Sequence, residues 1–214
     1  MVRTWGVVIW VVVLAMAVAF AVRFAPPARA QPATGLVLNE ILAGPARDWD
    51  GDGVFDARKD EWVEIRNDGG GLVDLAAYRL ADADSTIRFA FAGTLAPGGV
   101  ALVTGAAALD WQRAVGRSAT GLSLNNSGDT VHLFRIDGAD TVAVDVKTYN
   151  SIEGASDRST GRLGVGWVLF DALNKYTGSG EPKGNGCPPT PGAENGCTTA
   201  ASETTWGWIK DHYR

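Results

Sequence analysis

Histidine and cysteine are nearly absent from this chain of 214 residues, which has two of each. His132 lies in a predicted strand, on the face opposite Val131 and Leu133, where it reads as a cross-strand surface residue rather than a base. His212 lies close to the C-terminus. No G-x-S-x-G, H-E-x-x-H or P-loop pattern occurs, so the commonest hydrolase, zinc-protease and nucleotide chemistries have no foothold. Basic residues are also in deficit, 19 against 24 acidic ones, for a formal net charge of −5. An acidic chain repels a phosphate backbone, so no nucleic-acid partner is expected. Helix-period patterns are scarce, and no repeat of fixed period is present.

The one long apolar run is at the start. Arg3 precedes an uncharged stretch from Trp5 to Val22, followed by Arg23, Pro26, Pro27 and Ala28-Arg29-Ala30. This order predicts a signal peptide over residues 1–30, cut to leave Gln31 at the N-terminus. The protein is then secreted, periplasmic or on the cell surface. The alternative is an uncleaved anchor, because a spanning helix needs roughly 20 apolar residues. Only in that case is the membrane a partner. Cleavage would remove three arginines and no acid, leaving a chain still more acidic and suited to calcium or to a basic or uncharged partner.

Cys187 and Cys197 both lie beyond this segment, in a Gly/Pro-rich stretch. In an oxidising compartment they are expected to pair, closing a loop for roughly 3 kcal/mol by the chain-entropy argument. Two free thiols or a metal pair are the alternatives, the latter disfavoured because no histidine is near to complete a zinc site.

Strand signals recur at short intervals. Leu36–Leu42 is apolar and broken only by Asn39-Glu40. Glu61–Arg66 alternates, with Val63 and Ile65 on one face and Trp62 and Glu64 on the other. Thr86–Phe91 puts Ile87, Phe89 and Phe91 on one face, and Val100–Thr104 reads as a short buried run. Thr130–Ile136 and Thr141–Val146 flank the turn signal Asp137-Gly138. Such spacing predicts an all-β sandwich or barrel. Two helices are expected, over Ala106–Val115 and over Glu203–Arg214, with an extended loop from Thr177 to Ala201 tied by the cysteines. Asn39-Glu40 and Glu64 could form a buried polar network, but two strand carboxylates without a cleft are a weak glycosidase signal.

Asp48-Trp49-Asp50-Gly51-Asp52-Gly53-Val54-Phe55-Asp56 is the sharpest local pattern. Calcium takes six to eight oxygen ligands, and an EF-type loop supplies them at fixed positions around a turning glycine. Asp48, Asp50, Asp52, the Val54 carbonyl and Asp56 fall on those positions, with Gly53 at the turn. Lys59 stands where the closing glutamate belongs, so this is not a standard EF-hand. Asp60, or Glu61, could close the shell instead. The plain alternative is a solvated acidic loop built from Asx-turns.

Six segments, in order, resemble the lamin-tail domain in its bacterial secreted form. They are Leu38-Asn39-Glu40-Ile41-Leu42, Glu61-Trp62-Val63-Glu64-Ile65-Arg66-Asn67, and Val73-Asp74-Leu75 with Tyr78-Arg79-Leu80-Ala81-Asp82. Leu95-Ala96-Pro97-Gly98-Gly99, Leu122 through Val131, and Thr190-Pro191-Gly192-Ala193-Glu194-Asn195 follow. Ala77 and Tyr78 depart mildly from the family's usual Gly and Trp. The resemblance implies an immunoglobulin-like β-sandwich over residues 36–196, after a leader at 31–35 and before a tail at 197–214. It carries no catalytic residues, and implies a binding or attachment role, or an accessory role beside an extracellular hydrolase.

The expectation is therefore a non-catalytic exported module, steadied by calcium and a disulfide, whose partner is a protein or carbohydrate of the cell envelope. Trp49, Trp111, Trp206 and Trp208 are the candidate partner-binding aromatics. The alternative for Trp49 and Trp111 is that they cap the ends of the sandwich core. The tail with Trp206 and Trp208 is either an attachment element of a structural envelope protein or packs on the parent domain.

Overall fold

The computed structural model describes residues 35–197. The expectations placed on the export segment and on the C-terminal helix, with Trp206 and Trp208, lie outside the described residues. Those residues hold, in order, β1 (Leu36–Leu42), β2 (Trp62–Asn67), β3 (Val73–Asp74), β4 (Tyr78–Ala81), β5 (Ile87–Ala90), β6 (Thr94–Leu95), β7 (Val100–Thr104), α1 (Gly105–Ala114), β8 (Gly128–Asp137), β9 (Asp140–Asn150), β10 (Ser159–Leu163) and β11 (Gly166–Phe170).

A five-stranded sheet, β11-β10-β1-β2-β7, faces a four-stranded sheet, β5-β4-β8-β9, and β3 pairs with β6 apart from both. Neighbouring strands run antiparallel. Leu38, Ile41, Val63, Ile65 and Val103 from the first sheet meet Tyr78, Leu80, Val131, Leu133 and Tyr149 from the second. Each fully buried aliphatic or aromatic side chain in that layer contributes about 1.5–3 kcal/mol. A register shift between Leu38 and Glu40 lets Leu38 and Ile41 both reach this core. Asn39 and Glu40 then turn the other way.

Val100–Thr104 is a strand, but only Val103 in it is buried and Leu102 is exposed. β7 ends its sheet, so its outer face has no covering neighbour. The β8–β9 hairpin is longer than its apolar core suggests, at 10 and 11 residues. Its turn at Gly138 takes φ +63°, as a two-residue hairpin loop requires.

The helix starts on Thr104, whose Oγ1 accepts the Ala107 amide at 3.2 Å. Gly105 admits no side chain, since a Cβ there would stand 1.7 Å from the Arg58 carbonyl oxygen. Gln112, 2% exposed, fixes the helix to its surroundings. Its Nε2 donates to the carbonyls of Arg88 and Gly121, and its Oε1 accepts the amides of Thr120 and Gly121.

Near its centre the five-stranded sheet is buried on both faces. Leu42, Trp62 and Phe170 point away from the sandwich core, and each is 0% exposed. The β1–β2 connection covers them from one side, with Trp49 edge-on to Trp62 at 6.2 Å. The segment after β11 covers the rest. It pairs with the free edge of β11 through Leu169 N–H to Lys183 and Asn185 N–H to Leu169. A disulfide joins Cys187 to Cys197, with Cα atoms 5.0 Å apart. Gly161 lies where the layers approach closely, and a Cβ there would meet Phe170 at 2.7 Å and Asn195 at 2.8 Å.

Candidate cation-binding loop

The acidic segment forms the β1–β2 connection. Its carboxylates first serve the loop's own backbone. Asp48 accepts the amides of Gly51 at 2.7 Å and Gly53 at 2.8 Å. Asp50 accepts Asp52 N–H, and Asp52 accepts Val54 N–H. These are Asx-type turns, in which a short side-chain oxygen replaces a carbonyl as turn acceptor. Gly51 and Gly53 take φ of +81° and +86°, which their lack of Cβ allows.

Asp60, just before β2, is the hub. It is fully buried, and accepts Trp49 N–H at 2.6 Å, Asp50 N–H at 3.0 Å and Asp56 N–H at 2.7 Å. This arrangement brings carboxylate oxygens of Asp48, Asp50 and Asp60 within 4.8 Å of one another, a group that could hold a metal ion. Desolvation, and the negative charges of Asp52, Asp60 and Asp48, push the Asp50 carboxyl up.

The other expected ligands are not brought into this group. Asp52 pairs with Lys59 at 3.1 Å, and the amide of Val54 and that lysine hold its carboxyl below the usual range. Asp56 turns to the amides of Arg58 and Lys59, which lower it likewise. Lys59, at the position of the missing glutamate, thus takes one carboxylate away from the cluster. Glu61 leaves the loop altogether and accepts Leu124 N–H. Val54 and Phe55 stand exposed at the loop's tip. Beside the loop, an open groove of 410 Å³ runs to α1, lined by Asp50, Asp52, Lys59, Asp110 and Arg113 among others.

Trp49 is anchored, its Nε1 donating to Asp157 at 3.0 Å with Arg47 over its ring. Trp111 leans on Phe89 and carries Arg117. Trp49 thus packs on the outer face of the five-stranded sheet through Trp62, and Trp111 joins α1 to β5. Trp167, flanked by Lys147 and Arg162 at 4.9 and 4.8 Å, presents a half-buried ring between two cations. His132 stacks on Phe134 along β8.

The polar network expected around Asn39, Glu40 and Glu64 is present and buried. It is larger than the strands alone suggest, because Ser159 from β10 and Thr190, Gly192 and Asn195 from the C-terminal segment complete it. The signal in the sequence was the Thr190–Asn195 motif, whose polar residues have these strand residues as partners.

Residues 29–151 match the Lamin Tail Domain family. No curated protein gives a significant match. The matched stretch ends before β10, yet β10 hydrogen-bonds directly to β1, so the sheet that opens inside the match closes beyond it. With more than half of its residues in that match, and with two antiparallel sheets packed as an immunoglobulin-like sandwich, the chain belongs to the lamin tail domain family.

Proposed function

We propose that this protein is an exported, non-catalytic binding or attachment module whose β1–β2 loop takes up a calcium ion as a structural element. The observation that carries this reading is the convergence of Asp48, Asp50 and Asp60. Three carboxylates so close repel one another unless a cation neutralises them. A hard cation with flexible geometry suits an all-oxygen set that carbonyls and water can complete. The role of the ion is to stiffen the loop, which presents Val54, Phe55 and the adjoining groove to a protein or carbohydrate of the cell envelope. Export is supported by the order of residues 1–30 and by the disulfide, which persists in oxidising compartments.

Asp50→Asn tests the loop without breaking it, because asparagine keeps the oxygen that accepts Asp52 N–H while removing one charge. Calcium at about 100 times its dissociation constant stabilises a protein by about 2.7 kcal/mol. For a domain of this size, that raises the melting temperature by about 5–10 °C. Melting scans with calcium and with chelator should show this shift in the parent protein and lose most of it in Asp50→Asn. An equal shift in both, or none in the parent, contradicts the reading.

A further inference from the structure

The outer face of the five-stranded sheet carries a carboxyl pair that the cation loop does not use. Glu40 on β1 and Glu64 on β2 are direct cross-strand partners, and both are 0% exposed. Like charges set opposite each other in an antiparallel pair repel, and burial sharpens the conflict.

The groups that face the pair come from several elements. From β10, Ser159 donates its hydroxyl to Glu40. The 187–197 strap supplies Thr190, whose amide and hydroxyl reach Glu40 at 3.1 and 2.5 Å, and the Gly192 amide, which reaches Glu64 at 2.6 Å. From β1, Asn39 Nδ2 donates to Glu64 at 2.5 Å and to Asn195 on the strap at 2.8 Å. The charged neighbours are Arg66, further along β2, which is ion-paired with Asp68, and Glu194 on the strap, which lines a shallow pocket with Arg66. β7 offers Leu102 opposite Glu64, and β11 offers Phe170, neither of which carries charge. No lysine or arginine forms a salt bridge to either glutamate among the described residues. Asn39 Oδ1 is also buried without a donor. The cluster is rich in acceptors and short of a donor, and a proton on one carboxyl both supplies a donor and removes the repulsion.

We propose that Glu40 and Glu64 share a proton at neutral pH and that this proton latches the 187–197 strap over the sheet. Burial raises Glu40, and burial together with the nearby Glu40 charge raises Glu64 to about 7, against the hydrogen bonds from Asn39 and Gly192. A carboxyl whose pKa is raised on folding favours the closed form fully below its unfolded value, and that contribution is lost as pH rises through the folded value. The strap is therefore tight at pH 5 and loosens above about pH 7. The disulfide keeps its two ends together, so it lifts as a closed loop.

Amide hydrogen exchange at Thr190 and Gly192 in the full-length protein tests this, after correction for the intrinsic pH dependence of exchange. Protection should fall more than about tenfold between pH 5 and pH 8.5, a pKa unit corresponding to a factor of ten. Glu64→Gln should abolish the fall. Assigned carboxyl carbon resonances of the parent protein give a second reading that needs no variant, with Glu40 or Glu64 itself titrating above pH 6. Protection independent of pH, a Glu64→Gln variant that keeps the full pH response, or both Glu40 and Glu64 titrating below pH 6 would overturn the proposal.

Discussion

Glu61 shows how a single side chain in this fold carries a charge problem into neutral pH. It is 5% exposed, and burial pushes its carboxyl up to about 8, with the Asp129 charge adding to the rise. The amides of Leu124 and Ser123 and the nearby Arg58 oppose that rise without cancelling it. Burial also raises the Tyr149 hydroxyl, which shares this polar neighbourhood. Because the folded carboxyl binds its proton more tightly than the unfolded one, its contribution to stability is complete below about pH 4.5 and is lost through about pH 8. Denaturant midpoints measured at pH 5, 6.5 and 8.5 should therefore decrease in that order. Glu61→Gln should flatten the decline between pH 6.5 and 8.5. A midpoint that rises with pH over this interval contradicts the assignment.

At the scale of elements, the inward faces were legible and the outward ones were not. Alternation in Val63 and Ile65, and in Phe89 and Phe91, marks strands that each present one apolar face to the sandwich, whereas Ile87 of the same series lies outside the core. β10 has no such signal. Its Ser159, Thr160 and Gly161 are polar or small, yet all are buried, Ser159 against Glu40, Gly161 against Asn195 of the strap and Thr160 against Glu153. A period-two pattern assumes one wet face, and the centre of this sheet has none. β11 was not anticipated either, although Trp167, Val168, Leu169 and Phe170 form a short apolar run. The acidic loop was legible by spacing, but spacing could not show that Lys59 would claim Asp52 while Asp60 gathered three backbone amides.

These two strands also decide where the folding unit ends. β10 occupies the edge of β1 through the Glu40–Gly161 and Ile41–Thr160 pairs. Without it, β1 has an open edge, and Glu40 loses Ser159 and Thr190 as donors. Buried groups left unpaired cost about 1–3 kcal/mol each, more for charged ones. A chain truncated after residue 151, the end of the family match, should therefore show no cooperative thermal transition. A sharp transition in that fragment would place the folding boundary earlier than this architecture does.

The described residues form a sandwich with a third layer over one face of the five-stranded sheet, built from the acidic loop and the disulfide-closed strap. The whole chain's net charge of −5 favours cations over anions as bound ions. The cation loop is already shaped by its own hydrogen bonds, with Asp60 fixing three amides, so an ion entering it has little chain to order. The exported, calcium-steadied module proposed for this member of the lamin tail domain family rests on that loop being filled. Isothermal titration of the full-length, chelator-treated protein with calcium addresses it most directly. One calcium per chain, with the heat abolished in Asp50→Asn, is the predicted result. An absence of heat, with melting temperatures equal in calcium and in chelator, would contradict it.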